Sequence, residues 1–63
     1  MDVYVLLWDY GYEGQSLDSV HDSETKAKDA AGISHQDWVE MSPDHWQAVG
    51  EHYTAIVGKY RVQ

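Results

Sequence analysis

The chain has 63 residues, eleven acids against four bases, a net charge of −7 and no cysteine. This excludes a disulfide framework and a cysteine-ligated zinc site, and it disfavours docking on a phosphate backbone. One domain with a thin core is all the length allows, because a chain of this size buries only about 60% of the surface its unfolded form exposes.

The first element is a strand over Val3–Tyr10, in which Val3, Val5 and Leu7 point one way and Tyr4, Leu6, Trp8 and Tyr10 the other. Both sides are apolar, which marks an interior strand with something packed on at least one side. Gly11-Tyr12-Glu13-Gly14-Gln15 reads as a turn, and its two glycines supply positive φ. A second strand, Ser16–His21, carries Leu17 and Val20 and pairs back antiparallel on the first.

A short helix follows. Ser23 suits the N-cap and Glu24 suits the first turn. Ala27, Ala30 and Ala31 form a narrow apolar stripe, Lys26, Lys28 and Asp29 are expected to face water, and Gly32 suits the stop. Asp37–Met41 alternates as a strand. Ser42–Val49 has two readings: a tight turn at Ser42-Pro43-Asp44 into a strand, or a helix with Ser42 as N-cap and Pro43 at its first position. Gly50-Glu51-His52 looks like a hairpin loop before a last alternating strand, Tyr53–Val62, where Gly58 marks a bulge or a close approach.

The stretch Leu17-Asp-Ser-Val-His-Asp-Ser-Glu-Thr-Lys-Ala-Lys-Asp-Ala-Ala31, following Val-Tyr-Val-Leu-Leu, resembles a pattern in small uncharacterised proteins of bacteriophages and actinobacteria. Trp38-Val39-Glu40, Ser42–Ala48 and Tyr53–Ile56 are similar to the hairpin and final strand of some of them. The resemblance implies a ββαβββ fold and assigns no functional residue. It tips Ser42–Val49 toward strand. The expected class is α+β: a small, mostly antiparallel sheet with one short helix on one face. Val5, Leu7, Val20, Ala27, Ala30, Trp38, Ile56 and Tyr60 are expected in its core.

Catalytic signals are weak. The chain has no G-x-S-x-G, P-loop or G-x-G-x-x-G. His21 with Asp22, or His35 with Asp37, has the composition of an acid–base pair, and Asp44-His45 and Glu51-His52 would have to converge to hold a metal weakly. We therefore expect no catalytic residue, no metal site and no cofactor, with a weak metal-binding or enzymatic protein as the last alternative.

Surface composition says more. Residues 1–25 carry six acids and no base, and the four bases fall in two pairs, Lys26/Lys28 and Lys59/Arg61. Exposed tyrosines among acids make a recipe for a protein-binding hot spot. The leading expectation is a non-enzymatic, phage-type accessory protein. It would bind a basic host or phage protein through one acidic face built from Asp9, Tyr10, Tyr12, Glu13, Asp18 and Asp22, in one version by mimicking nucleic-acid charge. The structural alternative is a small self-associating subunit, a homodimer, because strands apolar on both sides leave surface to cover. Direct nucleic-acid and membrane partners are not expected: no apolar run approaches the ~20 residues of a span. The N-terminal Met1-Asp2-Val3 lacks the basic region of a signal peptide, so the expected location is the cytoplasm, the host's if the chain is phage-encoded.

Overall fold

A computed structural model describes residues 1–62, with the His35 side chain outside the described set. Five strands and one helix run in the order expected: β1 Asp2–Asp9, β2 Gln15–His21, α1 Glu24–Ala31, β3 Val39–Ser42, β4 His45–Val49 and β5 Thr54–Arg61. They form one antiparallel sheet with strand order β2-β1-β5-β4-β3. The chain is α+β. Among the described residues no helix is long and apolar enough to cross a membrane.

Local chemistry explains the turns. The β1–β2 connection is a 3-10 turn, Gly11–Glu13, with Gly11 at φ 72° and Gly14 at φ 88°. The Asp9 carboxylate accepts the Gly11 N–H at 2.9 Å, and Tyr10 N–H donates to the Gly14 carbonyl at 2.9 Å. The Ser23 hydroxyl caps α1 by accepting the Lys26 N–H at 3.1 Å, and Gly32 ends the helix in the left-handed region. Pro43 sits in a tight turn between β3 and β4, so the strand reading of Ser42–Val49 is the correct one. Gly50 N–H donates to the Tyr53 carbonyl at 2.8 Å and closes the last hairpin.

Three of the four connections between strands are tight hairpin turns. The fourth must travel from β2 at one edge to β3 at the other, and it does so across one face of the sheet. Helix α1 lies over β1, β2 and β5. Ile33 and Trp38, beyond it, complete the cover. The core is therefore the layer beneath this crossing: Leu6, Ala27, Trp38, Trp46, Ala48, Ala55 and Val57, with Tyr4, Trp8, Ala31 and Ile33 packed against it. Among the described residues, none crosses the opposite face.

This corrects several core expectations. The even-numbered side chains of β1 and the odd-numbered ones of β5 are buried, so Leu6 and Val57 are inside. Val5, Leu7 and Ile56 are only partly covered, and Val20 and Tyr60 are exposed. Both sides of β1 are apolar, so alternation could not choose between them; the crossing connection did. In α1, Ala30 is exposed and Lys28 is 8% exposed, because the buried helical row is Ala27–Lys28–Ala31. The Lys28 ammonium reaches Glu24 at 2.7 Å and lies 5.8 and 5.3 Å from the ring centroids of Trp38 and Trp46. Its stem covers the indoles while its charge stays paired.

Candidate functional site

The uncovered side of the sheet carries Leu17, Val20, Val39, Val49 and Tyr60 among the exposed large apolar side chains. Residues directly opposite one another in an antiparallel pair share a face, so the registers assemble it row by row. Val3 faces Tyr60. Val5 lies between Val20 and Gly58, with His45 beyond. Leu7 lies between Leu17 and Ile56, followed by Gln47 and Val39. Thr54 and Val49 form the next row, with Asp9 beside Thr54. Exposure is high for side chains of this kind: 61% for Leu17, 55% for Val20, 58% for Val39 and 74% for Val49.

Two details shape this face. Gly58 makes no bulge, since the β1–β5 register runs through it unbroken and β4 pairs with it regularly through His45. It is instead a close approach: the Tyr60 ring lies over it, and a Cβ at Gly58 would meet Tyr60 Cε2 at 2.9 Å. Tyr60 in turn makes an edge contact with His45, ring centroids 6.2 Å apart, so the aromatic lies down on the sheet. The face is also nearly free of charge. Of the acids within strands (Asp2, Asp9, Asp18 and Glu40), only Asp9 shares its register. The β5 bases, Lys59 and Arg61, fall on the opposite parity, and both reach Asp2 at 3.6 Å.

The acidic, tyrosine-containing set is placed differently from the single face expected. Asp9, Tyr10, Tyr12 and Glu13 lie together at the turn end of β1–β2, with Tyr10 and Tyr12 exposed. The β4–β5 turn lies beside them. A cleft of about 350 Å³ is lined by Asp9, Tyr10, Glu51, His52 and Tyr53 among others, which adds Glu51 and His52 to this end. Sequence spacing could not show this, because it follows from β5 pairing with β1.

Asp18 departs to the other side. It occupies a β-bulge where the β1–β2 register shifts between Leu6 and Leu7, and its carboxylate accepts the Trp8 indole N–H at 2.8 Å. That bond, with a second from Ser19, holds the Asp18 carboxyl below the usual carboxylate range. Asp22 lies past the far end of β2, paired with Lys26 at 2.9 Å. The hydrogen bond and charge of Lys26 lower its pKa. The six residues therefore share no single face: Asp9, Tyr10, Tyr12 and Glu13 gather at the turn end while Asp18 and Asp22 lie apart, because strand alternation and the bulge separate Asp9 from Asp18.

Chemistry-bearing pairs are sparse. Ser19 Oγ and His21 Nε2 share a hydrogen bond of 2.7 Å, and Ser42 Oγ and His45 Nδ1 share one of 3.2 Å. Sequence reading missed both because they form only once β2 and the β3–β4 hairpin are built. Among the described residues, no carboxylate hydrogen-bonds the far nitrogen of either ring to complete a triad. The β4–β5 hairpin puts His45 and His52 at opposite ends, so Asp44-His45 and Glu51-His52 do not converge. Among the described residues no three His, Asp or Glu side chains gather as metal ligands. The His35–Asp37 pairing lies outside the described residues. A second cleft, about 460 Å³, opens at the end of β4 between Ile33, Asp37, Val39, Val49 and Tyr53. No family model, curated protein or solved structure matches the chain.

Proposed function

We propose that this is a non-enzymatic protein-interaction module that works by covering the open face of its sheet against another protein surface. One observation carries the reading. Among the described residues the five-stranded sheet is covered on one side only, and the strands of its other side present Val5, Leu7, Leu17, Val20, Ile56 and Tyr60 with no Lys or Arg and with Asp9 as the one acid. Contiguous apolar patches of more than a few hundred Å² are rare on proteins that stay monomeric and mark interaction surfaces. A second reading keeps the acidic partner-binding role but confines it to the turn end, where the exposed Tyr10 and Tyr12 lie beside Asp9, Glu13 and Glu51.

Photo-crosslinking separates the two. A photoreactive residue is placed at Val20, at Tyr12 or, as control, at Thr25 on the exposed side of α1. Covalent adducts to protein from Val20 and not from Thr25 are expected. Adducts from Tyr12 alone would move the function to the turn end. Equal yields at all three positions, or none at any, would end both readings.

A further inference from the structure

We infer that the occupant of the open face is a second copy of this chain, giving a face-to-face β-sandwich dimer; the inference rests on the proposed use of that face. Area is the first argument. Five strands about 4.8 Å apart, each contributing about six residues at roughly 3.3 Å, make a plane of roughly 500 Å². Side chains standing off that plane raise the accessible area toward the ~800 Å² per partner of a standard stable interface, above the ~400 Å² per molecule typical of crystal contacts.

Charge is the second. Two chains of −7 repel least where each brings the least charge, and on this face Asp9 is the one strand acid and Lys59 and Arg61 point away. A basic partner would find only Asp9 among the strand residues to pair with. Shape and composition agree. Val, Leu and Ile alternating from neighbouring strands form the inner face of a sandwich, whose sheets stack about 10 Å apart.

Sedimentation velocity on the purified chain, from low to several hundred micromolar, tests this. A species of twice the 7.2 kDa chain mass is expected to grow with concentration. Added salt should tighten it, because screening removes repulsion and no interfacial ion pair is lost. Leu17→Lys and Val20→Lys, tested separately and checked for folding by near-ultraviolet circular dichroism, should each weaken association about a hundredfold, while Tyr12→Lys leaves it unchanged. Isotope-filtered NOEs on a mixed-label sample should join Val20 or Leu17 methyls to the partner copy, which keeps the test decisive if either lysine variant fails to fold. A monomer throughout the range overturns the dimer, even if Val20 crosslinks to some other protein, an outcome that would keep the interaction module and discard self-association. A dimer indifferent to both lysines, or one that weakens with salt, places the contact elsewhere and overturns it equally.

Discussion

Replacing Leu6 by alanine and, separately, Leu7 by alanine probes the two faces of β1 one position apart. Leu6 is fully buried between α1 and the sheet. Its truncation removes apolar carbon and leaves a cavity that neighbours fill only partly, a loss of about 3 kcal/mol. Leu7 is partly exposed on the open face, where lost burial is worth about 1 kcal/mol or less and no cavity forms. A domain of this length has about 3–9 kcal/mol in total, so Leu6→Ala should lower Tm by about 15 °C or leave the chain largely unfolded. Urea melts followed by tryptophan emission report this, since Trp8, Trp38 and Trp46 all belong to the covered layer. Measured at low protein concentration, the two variants should differ by at least about 2 kcal/mol. At high concentration the Leu7→Ala deficit should grow, because that side chain then counts in the dimer, while the Leu6→Ala deficit should not. Equal losses in dilute solution, or a larger one at Leu7, would refute the assignment of the core to the even face of β1.

Gly58→Ala should change the stability of the dilute chain by no more than about 1 kcal/mol, since better strand propensity offsets the outward swing of an already half-exposed Tyr60. It should nevertheless weaken association, because the ring no longer lies flat; calorimetric melts and sedimentation read the two effects. Lys28→Ala should cost about 1–2 kcal/mol through the uncovered indoles of Trp38 and Trp46, and Lys28→Met should recover most of it if the stem outweighs the charge. The Asp18 carboxyl is held low by Trp8 in the folded chain, so its contribution to stability is present above the usual carboxylate range and is lost as pH falls through it. Trp8→Phe should raise the Asp18 titration midpoint in carbon-detected NMR and shrink that acid-induced loss. Thermal melts should rise from low to moderate salt, because eleven acids face four bases whose exposed pairs contribute little; a fall would count against a repulsion-dominated surface.

The element order was legible because each boundary carried its own local signal: Ser23 and Gly32 around α1, Gly11 and Gly14 in the first turn, and Gly50 before β5. What the sequence left open were properties of the assembled sheet. Leu6 and Leu7 have the same hydrophobicity, so only the path of the chain from β2 to β3 decides which is buried. The bulge at Asp18 turns that side chain toward Trp8, and nothing in Leu17-Asp18-Ser19 announces it. Lys28 reads as a solvated charge until Trp38 and Trp46 arrive from 10 and 18 residues downstream to lie beneath it. Glu51 joins Asp9 only because β5 inserts next to β1.

That insertion governs how the molecule comes together. Strand β5 is central in space yet late in sequence, and β1 and β4 share no edge without it. While the polypeptide is being made, the β1–β2 hairpin with α1 and the β3–β4 hairpin can each form from neighbours in sequence, within microseconds of appearing. They cannot join into one sheet until residues 54–61 have been synthesised. Until then both flanks of the future central slot, β1 and β4, expose unpaired backbone beside apolar side chains. Strand exchange between nascent copies is therefore the characteristic hazard of this topology, and a nick in the Gly50–Tyr53 turn would leave a detachable strand on which the whole sheet depends.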